Sequence, residues 1–133
     1  SGAEKYLADA ASTPVLYNDP VGNNSYSGKT STVTIAWNDG DALERQLERV
    51  ITQKWLAMFP LGLEAWADYR RTGYPLLMPV KVNNSGGIVS TERGARRLAY
   101  PQEERTNNLN NYNAAVGMLG GADNMATDVW WAK

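Results

Sequence analysis

Residues 41–79 read DALERQLERVITQKWLAMFPLGLEAWADYRRTGYPLLMP, and the spacing of their apolar positions decides the fold class. Leu43, Leu47, Val50, Ile51, Trp55 and Met58 recur three and four residues apart. On a helix of 3.6 residues per turn they form one broad stripe that must face other protein. Asp41 occupies the expected N-cap, and Glu44 three residues later completes a capping-box pattern. The stripe ends at Pro60, which cannot continue a helix. A second helix is expected over 63–71, with Glu64 in its first turn, Arg70 and Arg71 in its last, and Gly73 beyond as a left-handed cap. Residues 41–73 therefore read as a bent helix pair.

The flanks are less regular. Residues 1–40 form a loop-rich lead-in. Tyr6, Leu7, Ala10 and Ala11 suggest a short helix over 3–11 that ends before Pro14. A Ser-, Asn-, Gly- and Thr-rich loop follows over 12–32, and Val33, Ile35 and Trp37 then alternate as in one short strand. Prolines 75 and 79 and the Asn83–Gly87 turn signal make 74–100 extended or loop. A third helix starts near Tyr100-Pro101, with proline at its first position and Glu103 and Glu104 in its first turn. Asn107, Asn108, Asn110, Asn111 and Asn113 are poor helix formers, so this helix needs packing or side-chain bonds to hold it. The tail ends in Trp130-Trp131, large rings that should dock back onto the body. The expected class is thus mainly α with long loops and at most a short strand or hairpin.

Composition narrows the function. The 133 residues include 13 basic and 14 acidic side chains, a formal charge of −1, so no global field favours nucleic acid or an anionic membrane. Without Cys or His there are no thiol nucleophiles, Ser-His triads or histidine bases, and no metal or cofactor is expected. A compact body of this mass, 14.6 kDa, would expose roughly 6,900 Å². The chain opens Ser1-Gly2-Ala3 without Met or a basic-apolar leader, and reads as a fragment whose targeting segment was removed or lies upstream.

Several motifs carry possible chemistry. Gly28-Lys29-Thr30 has the ending of a phosphate loop, but five residues separate Gly22 from Gly28 where that loop has four between its glycines, and no buried strand precedes it. Asn38-Asp39-Gly40-Asp41 resembles the start of a calcium loop without its terminal bidentate glutamate. Glu64 and Asp68 stand one helical turn apart, a carboxylate pair of the kind glycoside acid/base chemistry uses, yet Arg70 and Arg71 nearby favour plain ion pairing. Among the aromatics, Trp55 and Trp66 fall on helix stripes and read as packing, whereas Tyr17, Tyr26 and Trp37 sit in or beside a polar loop and are the candidate ligand-binding residues.

The run QKWLAMFPLGLEAWADYRRTGYPLLMP over 53–79 resembles the C-terminal signature of the SusD/RagB family of outer-membrane nutrient-binding lipoproteins. The resemblance continues in Arg96-Arg97-Leu98-Ala99-Tyr100-Pro101, Glu104, Asn108, Asn111-Tyr112, Gly120-Gly121-Ala122-Asp123, Thr127 and Trp130-Trp131, and reaches back to Ile35-Ala36-Trp37. It implies the C-terminal part of an α/α, tetratricopeptide-type superhelical fold. The implied protein is lipid-anchored at the outer surface of the outer membrane, binds glycan or another nutrient without cleaving it, and partners a SusC-like TonB-dependent transporter in polysaccharide utilization. The lipid-bearing Cys and most of the scaffold would lie outside this chain, as would the main sugar platform. Gln53, Trp55, Glu64, Trp66, Asp68, Arg70 and Arg71, together with Trp130 and Trp131, then read as a structural signature. Its arginines would stack on tryptophan and fork onto carboxylates across the bend at Pro60. A different reading makes the segment an interaction scaffold that docks to the transporter or to the rest of the protein, exposing apolar stripes when isolated.

Overall fold

The structure, a computed structural model, describes residues 1–132. Helix is the only regular secondary structure among them, and the backbone divides into two compact units, Ser1–Met78 and Pro79 onward.

The first unit contains α1 (Gly2–Leu7), α2 (Leu43–Ala57) and α3 (Gly62–Thr72). The first helix starts from a capping box between Ser1 and Glu4 and stops at Leu7, short of the expected 11. Asp9 explains the early stop: its Oδ1 accepts the amides of Ala11 at 2.9 Å and Ser12 at 2.8 Å, offering the backbone an alternative to helix. The strand expected at 33–37 is also absent. Among the described residues its one backbone bond to another segment is the Ala36 amide to Asp9 O at 2.8 Å, too little for a ladder, and guanidinium groups of α2 take carbonyls at and just before it. Arg45 donates to Thr32 O at 2.7 Å, and Arg49, only 3% exposed, donates through Nε to Thr34 O at 2.9 Å. The same Arg49 pairs with the Asp41 carboxylate at 2.7 Å. That pairing corrects the expected cap: Ala42, with no side-chain bond, is the N-cap of α2, because the carboxylate of Asp41 is turned toward arginine.

Along α2 the apolar stripe is only partly covered. Ile51 is buried, Leu47, Trp55 and Met58 are half-buried, and Leu43 and Val50 are exposed, Leu43 at 84%. The surface that would cover them is not among the described residues. A four-residue break over 58–61 separates α2 from α3, and the ion pair that bridges them is Lys54 Nζ to Asp68 Oδ2 at 2.5 Å. Gly73 ends α3 at φ 79°, its amide donating to Tyr69 O at 2.8 Å, in the left-handed conformation that glycine adopts without penalty.

The second unit contains α4 (Gln102–Asn107) and α5 (Leu109–Met118) in place of one third helix. Asn108 breaks the run at φ −138°, ψ 40°. Its Nδ2 donates to Glu104 Oε2 at 2.8 Å and its Oδ1 accepts Asn111 Nδ2 at 2.7 Å, so asparagine side chains bond one another where a continuous helix was expected. Pro101 is the N-cap rather than the first helical residue. The expected docking of the terminal rings holds only for one: Trp131 is half-buried, while Trp130 is 95% exposed because nothing among the described residues lies over it.

Two carboxylates organise this unit. Asp123, with its side chain 4% exposed, accepts Arg97 Nη1 at 2.6 Å, Arg105 Nη2 at 2.7 Å, the Tyr100 amide at 3.0 Å and the Tyr112 hydroxyl at 3.1 Å. Asp128 accepts Arg96 at 2.6 Å and Arg93 at 2.8 Å. Apolar burial is sparse by comparison: across the described residues only Val33, Ile51 and Ala65 are buried hydrophobics, and the exposed surface is 9270 Å² against the roughly 6,900 Å² of a compact chain of this mass.

Candidate functional site

Tyr17 and Tyr26 come together at the mouth of a compact loop. The Tyr26 amide donates to Tyr17 O at 3.0 Å, closing residues 17–26 end to end. Inside, the Asp19 carboxylate accepts the amides of Val21 at 3.0 Å, Asn23 at 3.1 Å and Asn24 at 2.8 Å. These backbone donors, led by Val21 and Asn24, hold its carboxyl below the usual range. Gly22 completes the turn at φ 77°, and Ser25 Oγ links the Asp19 amide at 3.0 Å to Asn18 Oδ1 at 3.2 Å. The Tyr26 ring folds back across Gly28, where a Cβ would collide with it, and its hydroxyl donates to Lys29 O at 3.2 Å. Gly28 is therefore a close-approach glycine under a tyrosine, which accounts for the phosphate-loop-like spelling without a phosphate site.

Trp37 is placed elsewhere. Its indole N–H donates to Asp39 Oδ1 at 2.7 Å, the ring is half exposed, and no hydrogen bond or ring contact joins it to either tyrosine. The calcium-loop look of 38–41 is explained by the same contacts: Asn38 Oδ1 caps the Gly40 amide at 3.0 Å, Asp39 serves Trp37, and Asp41 serves Arg49.

The residues of the 53–71 signature divide by role. Arg70 lies over the Trp66 ring, 3.6 Å from its centroid, and Arg71 reaches Asp68 Oδ1 at 2.8 Å, both within α3. Lys54, which the sequence reading passed over, carries the bridge from α2. Burial works to raise the Asp68 carboxyl, but hydrogen bonds and charge from Arg71 and Lys54 outweigh it and lower its pKa. Such a carboxylate stays ionised and is a poor general acid, and Glu64 is exposed. Gln53 accepts the Tyr6 hydroxyl at 2.6 Å, at the edge of a cleft of about 440 Å³ lined by Val33, Ile35, Trp55 and Leu76. None of Tyr17, Tyr26 and Trp37 lines that cleft.

Besides Lys54, sequence reasoning gave no structural role to Asp19 or Asp123. The Asp-Pro-x-Gly turn over 19–22 was a local signal for the first. For Asp123 the resemblance supplied the motif but no partner.

With this geometry in hand, comparison with known proteins is decisive. The family model described as "SusD-like: Susd and RagB outer membrane lipoprotein" matches residues 1–132. The chain belongs to the SusD-like family. Among solved structures, a SusD homolog from Bacteroides uniformis superposes with a TM-score of 0.95 at 57% identity, covering 100% of this chain and 28% of that one. A chitin-binding SusD homolog from Flavobacterium johnsoniae gives 0.91 at 48% identity, covering 98% and 27%. A third, from Bacteroides thetaiotaomicron, gives 0.88 at 49% identity, covering 99% and 29%. A search of curated proteins returned no match. The SusD-like chain thus spans under a third of the length of these structures, and its helices and long loops are part of their α/α, tetratricopeptide-type fold. The family is one of outer membrane lipoproteins by description; no helix among the described residues is long and apolar enough to cross a membrane.

Proposed function

We propose that this SusD-like chain is the C-terminal part of a glycan-binding protein, lipid-anchored at the outer surface of the outer membrane in its full-length form. It binds without cleaving and delivers its ligand to a SusC-like TonB-dependent transporter. The observation that carries the reading is the Asp19-locked loop, closed by the Tyr26 amide on Tyr17 O, which carries both tyrosines together with the exposed Asn18, Asn23 and Asn24. Flat aromatic faces beside amide donors and acceptors suit a sugar ring, whose apolar face stacks while its hydroxyls hydrogen-bond. Kinship with a chitin-binding homolog at 48% identity supports the ligand class. Trp37 adds a separate exposed ring on the same unit. The ionised, arginine-paired Asp68 supports a non-catalytic role.

Affinity electrophoresis of the full-length protein through gels cast with the glycans its host grows on tests this. Retardation that falls in Tyr17→Ala and Tyr26→Ala is expected. Migration unretarded by every glycan would refute the reading.

The scaffold reading has its own support in exposed apolar side chains. Leu43, Phe59, Leu61 and Leu63 on the first unit and Trp130 on the second have no cover among the described residues. Such surface suits docking onto the rest of the protein or onto the transporter. A monodisperse monomer of these 133 residues that does not bind an apolar-surface dye would count against it.

A further inference from the structure

The second unit carries a cleft of about 370 Å³ between α4, α5 and the residues that lead into them, at the small end of the range for ligand sites. Its walls are two tyrosines. Tyr100 and Tyr112 meet edge to face, with centroids 6.0 Å apart and ring planes at 83°, so that one wall stands nearly perpendicular to the other. Its rim is a polar relay: Glu104 Oε2 accepts Asn108 Nδ2 at 2.8 Å, and Asn108 Oδ1 accepts Asn111 Nδ2 at 2.7 Å. The relay leaves Glu104 Oε1 and Asn111 Oδ1 as acceptors, and one further N–H on each amide as a donor, along an exposed edge.

We infer that the cleft bounded by Tyr100, Glu104, Asn108, Asn111 and Tyr112 is a subsite for one neutral pyranose ring of a glycan. The ligand class follows from the cleft's own chemistry and does not depend on the Tyr17–Tyr26 loop. A pyranose presents an apolar face to a tyrosine ring and, around its edge, hydroxyls that each donate and accept, which the alternating acceptors and donors of the rim match. An acidic sugar or a phosphate is disfavoured, because Glu103 and Glu104 stand in the first turn of α4 while the nearby guanidiniums of Arg97 and Arg105 are engaged by Asp123. One carboxylate with two amides is too weak a set for a divalent cation, which takes six or more oxygen ligands. The aromatic corner is also prearranged. Asp123 fixes Tyr112 through its hydroxyl and Tyr100 through its amide, and Arg97 lies over the Tyr100 ring at 4.7 Å, so little ordering remains for a ligand to impose.

The test is calorimetric titration of the full-length protein with cellohexaose, maltohexaose, chitohexaose and a galacturonate hexamer. At least one neutral hexaose should bind, with affinity about 5- to 20-fold weaker in Glu104→Gln, which replaces a charged rim acceptor by a donor, and in Asn111→Ala, which removes an amide from the exposed edge. The galacturonate should not compete. On the parent protein, that neutral hexaose should slow hydrogen exchange in peptides covering 100–112, a readout independent of any variant. Affinity unchanged in both variants, or no protection over 100–112, overturns the subsite. Binding lost only in Tyr17→Ala or Tyr26→Ala overturns it while sparing the loop reading, and a parent that binds no neutral hexaose overturns the subsite, whereas the loop reading stands or falls with the gels.

Discussion

Asp123→Asn preserves the shape of the side chain and deletes the charge that two guanidiniums share. Burial alone would raise this carboxyl. Hydrogen bonds from Arg97, the Tyr100 amide, Tyr112 and Arg105 reverse that and hold it at about 2 against an ordinary 3.8. The difference corresponds to about 2 kcal/mol in favour of the charged form. Asparagine also strands Arg97, whose side chain is 7% exposed, and removing one member of a buried pair costs about 3–5 kcal/mol. Arg105, with over a third of its side chain exposed, regains water, so the loss should sit near the lower end, at about 3 kcal/mol. Hydrogen exchange by mass spectrometry on the full-length protein reads this directly. Peptides covering 96–126 should exchange on the order of 100-fold faster, since a local opening becomes easier by that free energy. Asp39→Asn, at an exposed carboxylate that serves Trp37, is the control and should leave those peptides unchanged. The sign of the pH dependence is fixed too. A folded-state pKa below the unfolded 3.8 gives stability that is complete above about pH 4 and lost as pH falls through about 2. The parent's 96–126 peptides should therefore lose protection over that window, and Asp123→Asn should show a flatter profile. Exchange in the variant within threefold of the parent at neutral pH would refute the reasoning.

The bridge between α2 and α3 predicts an asymmetry. Lys54→Ala removes a half-exposed partner and should cost under about 1 kcal/mol, whereas Asp68→Asn abandons Lys54 and Arg71 together and should cost about 2 kcal/mol. Thermal unfolding decides, and equal losses would show that Asp68 is not the shared anchor. Gly28→Ala should displace the Tyr26 ring and reduce glycan retardation about as far as Tyr26→Ala does. Full retention in the gel would mean that the ring's folded-back position is irrelevant to binding.

How far the sequence could be read depended on whether a feature was local. The two main helices and the Gly73 cap follow from spacing within a few turns, and they lie close to where periodicity put them. The Asp41 cap failed because a residue eight positions on, Arg49, took the carboxylate. Val33, Ile35 and Trp37 alternate as a strand would, but alternation does not supply an edge to pair with, and α2 supplied guanidiniums instead. The break at Asn108 lay within a run of five asparagines, each a poor helix former, so propensity alone did not single one out. Partners 26 residues apart, such as Arg97 and Asp123, leave no local trace at all. Their juxtaposition was legible only as two halves of a family motif whose connection the motif does not state.

These failures share a physical cause. In this chain order comes from carboxylates that each gather several donors more than from apolar packing: Asp19 in the tyrosine loop, Asp41 on α2, Asp68 between helices, Asp123 and Asp128 in the second unit. A hydrophobic contact is non-directional and tolerates rotation, whereas a carboxylate accepting three or four aimed donors sets positions and angles. Directional locks fix the backbone of the long loops that carry Tyr17, Tyr26 and Tyr100. They also free the apolar stripe of α2 and the exposed Trp130 from stabilising the fragment itself, leaving that surface for the larger fold of which relatives show more than twice as much again. A chain organised this way should lose its loop geometry on acidification before its helices melt, because protonation removes the locks and leaves backbone helix bonds intact. In an acid titration of the full-length protein, loop peptides should therefore lose exchange protection at higher pH than those of α2.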